Sequence, residues 1–107
     1  MKTLSQLNKI IADLEQAGNL SKDEKEKNRC RRELKIYRSA RLYLEYEPTE
    51  ESVARQHDQA MRAVSRVIEE FDRVFPAGAD AMKKSEFMKD NGLPELKRQV
   101  KILGCIL

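Results

Sequence analysis

Between Pro48 and Pro76 the chain carries no glycine and no further proline, and Val53, His57, Ala60, Val64, Val67, Phe71 and Val74 step by 4, 3, 4, 3, 4 and 3 residues. An apolar line with a 3.5-residue period stays on one face of a helix, whereas in a strand it would scatter over both faces. Three unbroken heptads form a coiled-coil-like seam, which Met61, Ile68 and Phe75 widen. About 26 residues at 1.5 Å each give a rod of roughly 39 Å, long for a chain of this size. Its outer face carries the acid-before-base pairs Glu51/Arg55, Asp58/Arg62 and Glu69/Arg73. Such pairs support a helix by about 0.2–0.5 kcal/mol each and do not mark a site.

Other segments read as helices arranged around this rod. Thr3 and Gln6 have the spacing of a capping box, followed by Leu4, Leu7, Ile10, Ile11 and Leu14 up to Gly18-Asn19. Ser21 and Glu24 repeat that spacing and predict a long second helix running to Pro48. Its first turns, Lys22 to Arg29, hold no apolar residue and are expected to project past the core. From Cys30 an apolar series runs through Leu34, Tyr37 and Leu44, with Arg41 as the exception in the seam. Pro48 and Thr49 then end one helix and cap the next. Ala79 to Asp90 predicts a short helix with Met82, Phe87 and Met88 inward, closed by Asn91-Gly92. Pro94 opens the last helix, along which Leu96, Val100, Leu103 and Leu107 step by 4, 3 and 4.

A chain of 107 residues has room for one core, so residues 1–107 are expected to form a single all-α domain. The expected architecture is a small bundle of four or five helices, built on a long antiparallel hairpin of the second and third. The first and last helices pack along it, and the heptads permit a homodimer through the helical seam. Any end of the hairpin left uncovered would be a binding surface or a dimer interface. No apolar run approaches the roughly 18–20 residues that span a bilayer, and Met1-Lys2-Thr3-Leu4 does not open a signal-peptide block. The expectation is a cytoplasmic protein with no membrane association.

Little in the chain suggests reaction chemistry. Two cysteines, Cys30 and Cys105, and one histidine, His57, do not make a zinc site of the usual spacing, and no metal or cofactor is expected. Cys30 sits among Arg29, Arg31 and Arg32, yet its place in an apolar seam favours a buried thiol over a reactive one. Only two residues follow Cys105, one short of a prenylation box. His57 lies inside the seam and reads as a structural residue. The four glycines are scattered and form no phosphate loop. No catalytic residue is assigned, and the chain is read as a non-enzymatic protein.

Charge placement is the feature that stands out. Lys27 to Arg41 holds seven basic residues and one acid, a net +6 in fifteen positions, and because the whole chain is +3 the remainder sums to −3. At 100° per residue Lys27, Arg31, Lys35, Arg38 and Arg41 fall within an arc of about 120°. With Arg98 and Lys101 they form the candidate binding set. The ridge suits an acidic surface on a larger protein or nucleoprotein complex. The reading is a small accessory or inhibitory protein, of the kind phages and mobile elements carry, that blocks such a complex sterically. The alternative is a nucleic-acid-binding protein, with a dimer of the kind the heptads permit, in which the Lys27–Arg41 stripe grips phosphates.

Overall fold

The helix starts are written locally. Thr3 caps the first helix: its hydroxyl accepts from Gln6 N at 3.2 Å, and its own backbone N–H donates to Gln6 Oε1 at 2.9 Å. Asp23, not Ser21, caps the second, accepting from Lys25 N at 3.0 Å, while Ser21 closes the first helix. Thr49 and Asp80 accept from Ser52 N and Lys83 N, and Gly92 opens the last helix at φ 70°, a left-handed conformation that glycine adopts without strain. The computed structural model describes all 107 residues: α1 (Leu4–Leu20), α2 (Glu24–Leu44), α3 (Glu50–Val74), α4 (Ala81–Asp90) and α5 (Leu93–Ile106), with no strand. The all-α class holds, with five helices.

The long α2/α3 hairpin does not form. No Cα of α2 lies within 8 Å of a Cα of α3, and the close partners are α1 with α2 and α3 with α5. Apolar residues on α2 look in two directions, which explains the difference. Cys30 and Leu34 face α1, where a Cβ on Gly18 would lie 3.4 Å from the Cys30 Cβ. Ala40 and Leu44 face α5 and are buried with Leu103 and Ile106. α5 is short and apolar, so it enters between α2 and α3 and takes the place each was expected to fill for the other. Glu47, at φ 52°, and Pro48 turn the chain at the join.

Two antiparallel arms result, α1/α2 and α3/α5, joined at an apex. The core there comprises Leu7, Ala40, Leu44, Val53, Leu103 and Ile106, one or two residues from each of α1, α2, α3 and α5. The N-terminal segment closes over it: Lys2 N donates to the Ile106 carbonyl at 2.6 Å, and the Met1 ammonium lies 3.2 Å from Glu50. At the far end of α3, Phe71, Phe75 and Phe87 form an aromatic triad with centroids 5.2 to 6.0 Å apart, which fastens α4. Phe87 and Met88 are half-buried as expected, but Met82 is 74% exposed.

The molecule is flat, with principal dimensions of 47 × 40 × 15 Å and a radius of gyration of 16.8 Å. A globular chain of this length is expected near 13 Å. Only 12 of 107 residues are buried, and the accessible surface is 7844 Å². A compact monomer of this mass would expose about 6,100 Å². Splayed arms account for the excess.

Candidate interaction surfaces

The predicted basic set is divided by the fold. Lys27, Arg31 and Arg38 line one cleft at the α1/α2 arm, together with Glu15, Gly18 and Asn19 near the end of α1. Lys35 is exposed one turn along from Arg31. Arg38 is bound across the hairpin to Glu15, Nη2 to Oε1 at 3.2 Å, and Arg41 is half-buried and donates to Asn8 Oδ1 at 3.3 Å. The arginine that interrupts the apolar seam is therefore a strut between α1 and α2. Arg31 donates to Asn28 Oδ1 at 3.4 Å, a local contact that leaves its charge uncompensated. Arg29, outside the predicted set, is held by Glu26 and Glu33 on its own helix. Lys27, Arg31 and Lys35 make no ion pair, so they carry the net charge of this face.

Arg98 and Lys101 belong elsewhere. Arg98 Nη2 donates to Ser39 Oγ at 3.4 Å across the α2/α5 crossing. Lys101 lies on another side of α5, between a hollow shared with Glu33 and Tyr37 and a groove shared with Met61 and Val64 of α3. The seven residues do not form one continuous patch.

Other polar features are structural in their geometry. His57 is half-buried against α5, where a Cβ on Gly104 would lie 3.6 Å from its Nε2. Cys30 is a buried free thiol in the α1/α2 contact, and Cys105 is a half-buried free thiol beside Tyr37. Burial, foremost, and then the negative charge of a neighbouring Cys105 thiolate push the Tyr37 phenol above its ordinary pKa. No group of three or more His, Cys, Asp or Glu side chains is placed to hold a metal ion. No helix is long and apolar enough to cross a membrane. The opening between α2 and α3 is lined by neutral groups, chiefly Ser39, Gln56, Gln59 and Gln99 over Ala60 and Ile102, and Tyr43 Oη donates to Gln56 Oε1 at 3.0 Å.

No family model, curated protein or solved structure matches the chain. Function rests on the surfaces alone.

The spacing of residues leaves a second surface undeveloped. On α3 only Val53, Ala60 and Phe71 are buried; Met61 is 49% and Ile68 42% exposed. Met61, Val64 and Ser65 face Lys97, Val100 and Lys101 across a shallow groove between α3 and α5. Its signal is the seven-residue interval from Met61 to Ile68, which lies beside the main seam and repeats it. Tyr46 lies just past the end of α2 at Leu44 and is 86% exposed.

Proposed function

We propose that this chain is a non-enzymatic docking protein whose α1/α2 arm presents Lys27, Arg31 and Lys35 to an acidic surface on a larger protein or nucleoprotein complex and blocks it sterically. The observation that carries this reading is the uncompensated charge of those three side chains on one arm of a flat molecule. The three side chains stand at successive four-residue steps on the helix α2, which Arg38 and Arg41 link to Glu15 and Asn8 of α1. A preorganised ridge loses less freedom on binding than flexible lysines on a loop would. Occlusion of a partner needs shape and charge and no reaction. A small inhibitor of a nucleic-acid-processing complex, of phage or mobile-element origin, is the specific form we favour.

Charge reversal at Arg31 and Lys35 tests the reading, since neither is tied to α1. The Arg31→Glu, Lys35→Glu protein should keep its helicity and melting temperature, yet lose a complex that the wild-type protein captures from lysate of its host. Labelled DNA and RNA, titrated with salt, form the second arm. Tight binding with a steep salt slope that the reversal abolishes would replace this reading with phosphate binding. Capture unchanged by the reversal would remove the ridge from the docking surface.

A further inference from the structure

We infer that the groove between α3 and α5 is the seam of a parallel homodimer, in which the Met61–Ile68 ridge of each copy sits in the groove of the other. The seam residues His57, Met61, Val64 and Ile68 step by 4, 3 and 4, a heptad line that α5 and α4 cover only in part. Met61 and Ile68 stay close to half exposed on α3, and Val100 of α5 continues the apolar floor. Apolar surface at heptad spacing is what one helix offers another.

Area and charge select a second copy of this chain. Its surface exceeds that of a compact monomer of its mass by roughly 1,700 Å². A stable interface removes about 800 Å² from each partner, so the excess is large enough to supply one. The groove also has flanks of opposite sign. Lys97 and Lys101 form the α5 flank. On α3, beyond Met61 and Ile68 on the side away from α5, Asp58, Glu69 and Asp72 fall within an arc of about 60° at 100° per residue.

Those flanks also decide the orientation. A two-fold axis running along α3 keeps the two α3 helices parallel and lays the acidic flank of each copy against Lys97 and Lys101 of the other. An axis across α3 makes them antiparallel and sets acid against acid. Only the parallel arrangement is self-complementary. Asp58 is bound to Arg62 at 3.1 Å, but both are exposed, and such a pair is weak enough to exchange for a lysine across the interface. The basic ridge of α2 lies on the other arm and stays free, so this inference and the docking proposal fail or succeed separately.

Sedimentation equilibrium of the full chain over a wide concentration range tests it. We expect a dimer whose dissociation constant rises at least about tenfold in the Met61→Gln, Ile68→Gln protein, with circular dichroism and melting showing that the fold persists. Asp58→Lys and Lys101→Asp should each weaken the dimer, and the double variant should recover it. Met61→Cys, in a Cys105→Ala background, should oxidise to a covalent dimer, because a two-fold along α3 brings the same residue of both copies together. A monomer at every concentration, a dimer indifferent to the glutamine pair, or a charge swap without recovery would each overturn the inference.

Discussion

The two arms reach stability by different means and leave different surfaces behind. In α1/α2, Leu7, Ile11, Cys30 and Leu34 go inside, Arg38 and Arg41 reach across to Glu15 and Asn8, and the outside carries the unpaired cations Lys27, Arg31 and Lys35 beside the scattered exposed leucines Leu4, Leu20 and Leu42. In α3/α5 the apolar stripe is longer than its cover. α5 has 14 residues against the 25 of α3, and α4 protects only the end at Phe71 and Phe75, so Met61 and Ile68 remain outside. One arm therefore offers a cationic ridge and the other an apolar groove. A partner attracted by charge and a partner attracted by apolar surface would meet different halves of the same small protein.

The sharpest way to break this picture is at the apex, where α1, α2, α3 and α5 share one buried core. Ile106 is fully buried there among residues from α1, α2 and α3. Ile106→Ala should cost about 2–5 kcal/mol, from lost transfer energy and the cavity left behind. Because so few residues are buried, that is a large share of the stability of a small domain. Chemical denaturation should show both arms failing in one transition at a lower midpoint. A second transition, with one arm surviving alone, would mean that the arms are independent and the apex merely links them.

Local features of this design are legible in the sequence, and pairings are not. Thr3 with Gln6, Thr49 after Pro48, and the glycine at position 92 act on neighbours within a few residues, so their roles can be read from spacing. Ser21 misleads because Asp23, two residues on, competes for the same job and its carboxylate takes the cap. Which stripe meets which depends on the whole set of apolar faces. The α2 and α3 seams look made for each other until α5 is counted, whose Leu103 and Ile106 bury deeply between them. Arginine partners follow from the same long-range choice. Arg38 meets Glu15 only once the register of α1 on α2 is known, and Arg73 turns to Glu70 rather than to the Glu69 that its i, i+4 spacing favours. The basic stripe is therefore legible as composition, while its division into struts and free charges is not.

A smaller effect separates the arms by how closely their helices approach. Gly18 lies in the last turn of α1, where a Cβ would make ordinary van der Waals contact with Cys30 Cβ, at 3.4 Å. Glycine within a helix costs up to about 1 kcal/mol relative to alanine, so Gly18→Ala should stabilise the protein, by about 0.5 kcal/mol if the contact absorbs part of the gain. Thermal melting gives the sign directly. A loss of stability would mean that α1 and α2 tolerate no widening, making this arm the more tightly packed of the two.

The smallest expected effect is electrostatic and compares one pair from each arm. Glu26 on α2 accepts from Arg29, and Glu70 on α3 accepts from Arg73; in both, the arginine hydrogen bond is the main reason the carboxyl titrates below its ordinary range. A carboxyl whose pKa is lower in the folded than in the unfolded chain stabilises the fold above the ordinary carboxylate range. That contribution fades as pH falls through the depressed value. Glu26→Gln and Glu70→Gln should therefore each lower the melting temperature slightly at neutral pH and have no effect in strong acid. Their ranking carries the comparison. Glu26 also offsets the crowd of Lys25, Lys27, Arg29 and Arg31, whereas Glu70 lies beside Glu69 and Asp72, so its loss relieves repulsion as well as breaking a pair. Glu26→Gln should be the more damaging of the two at neutral pH and low salt, and added salt should narrow the gap. Equal effects would show that the basic arm bears no measurable self-repulsion, which would in turn weaken the case that its ridge attracts an acidic partner.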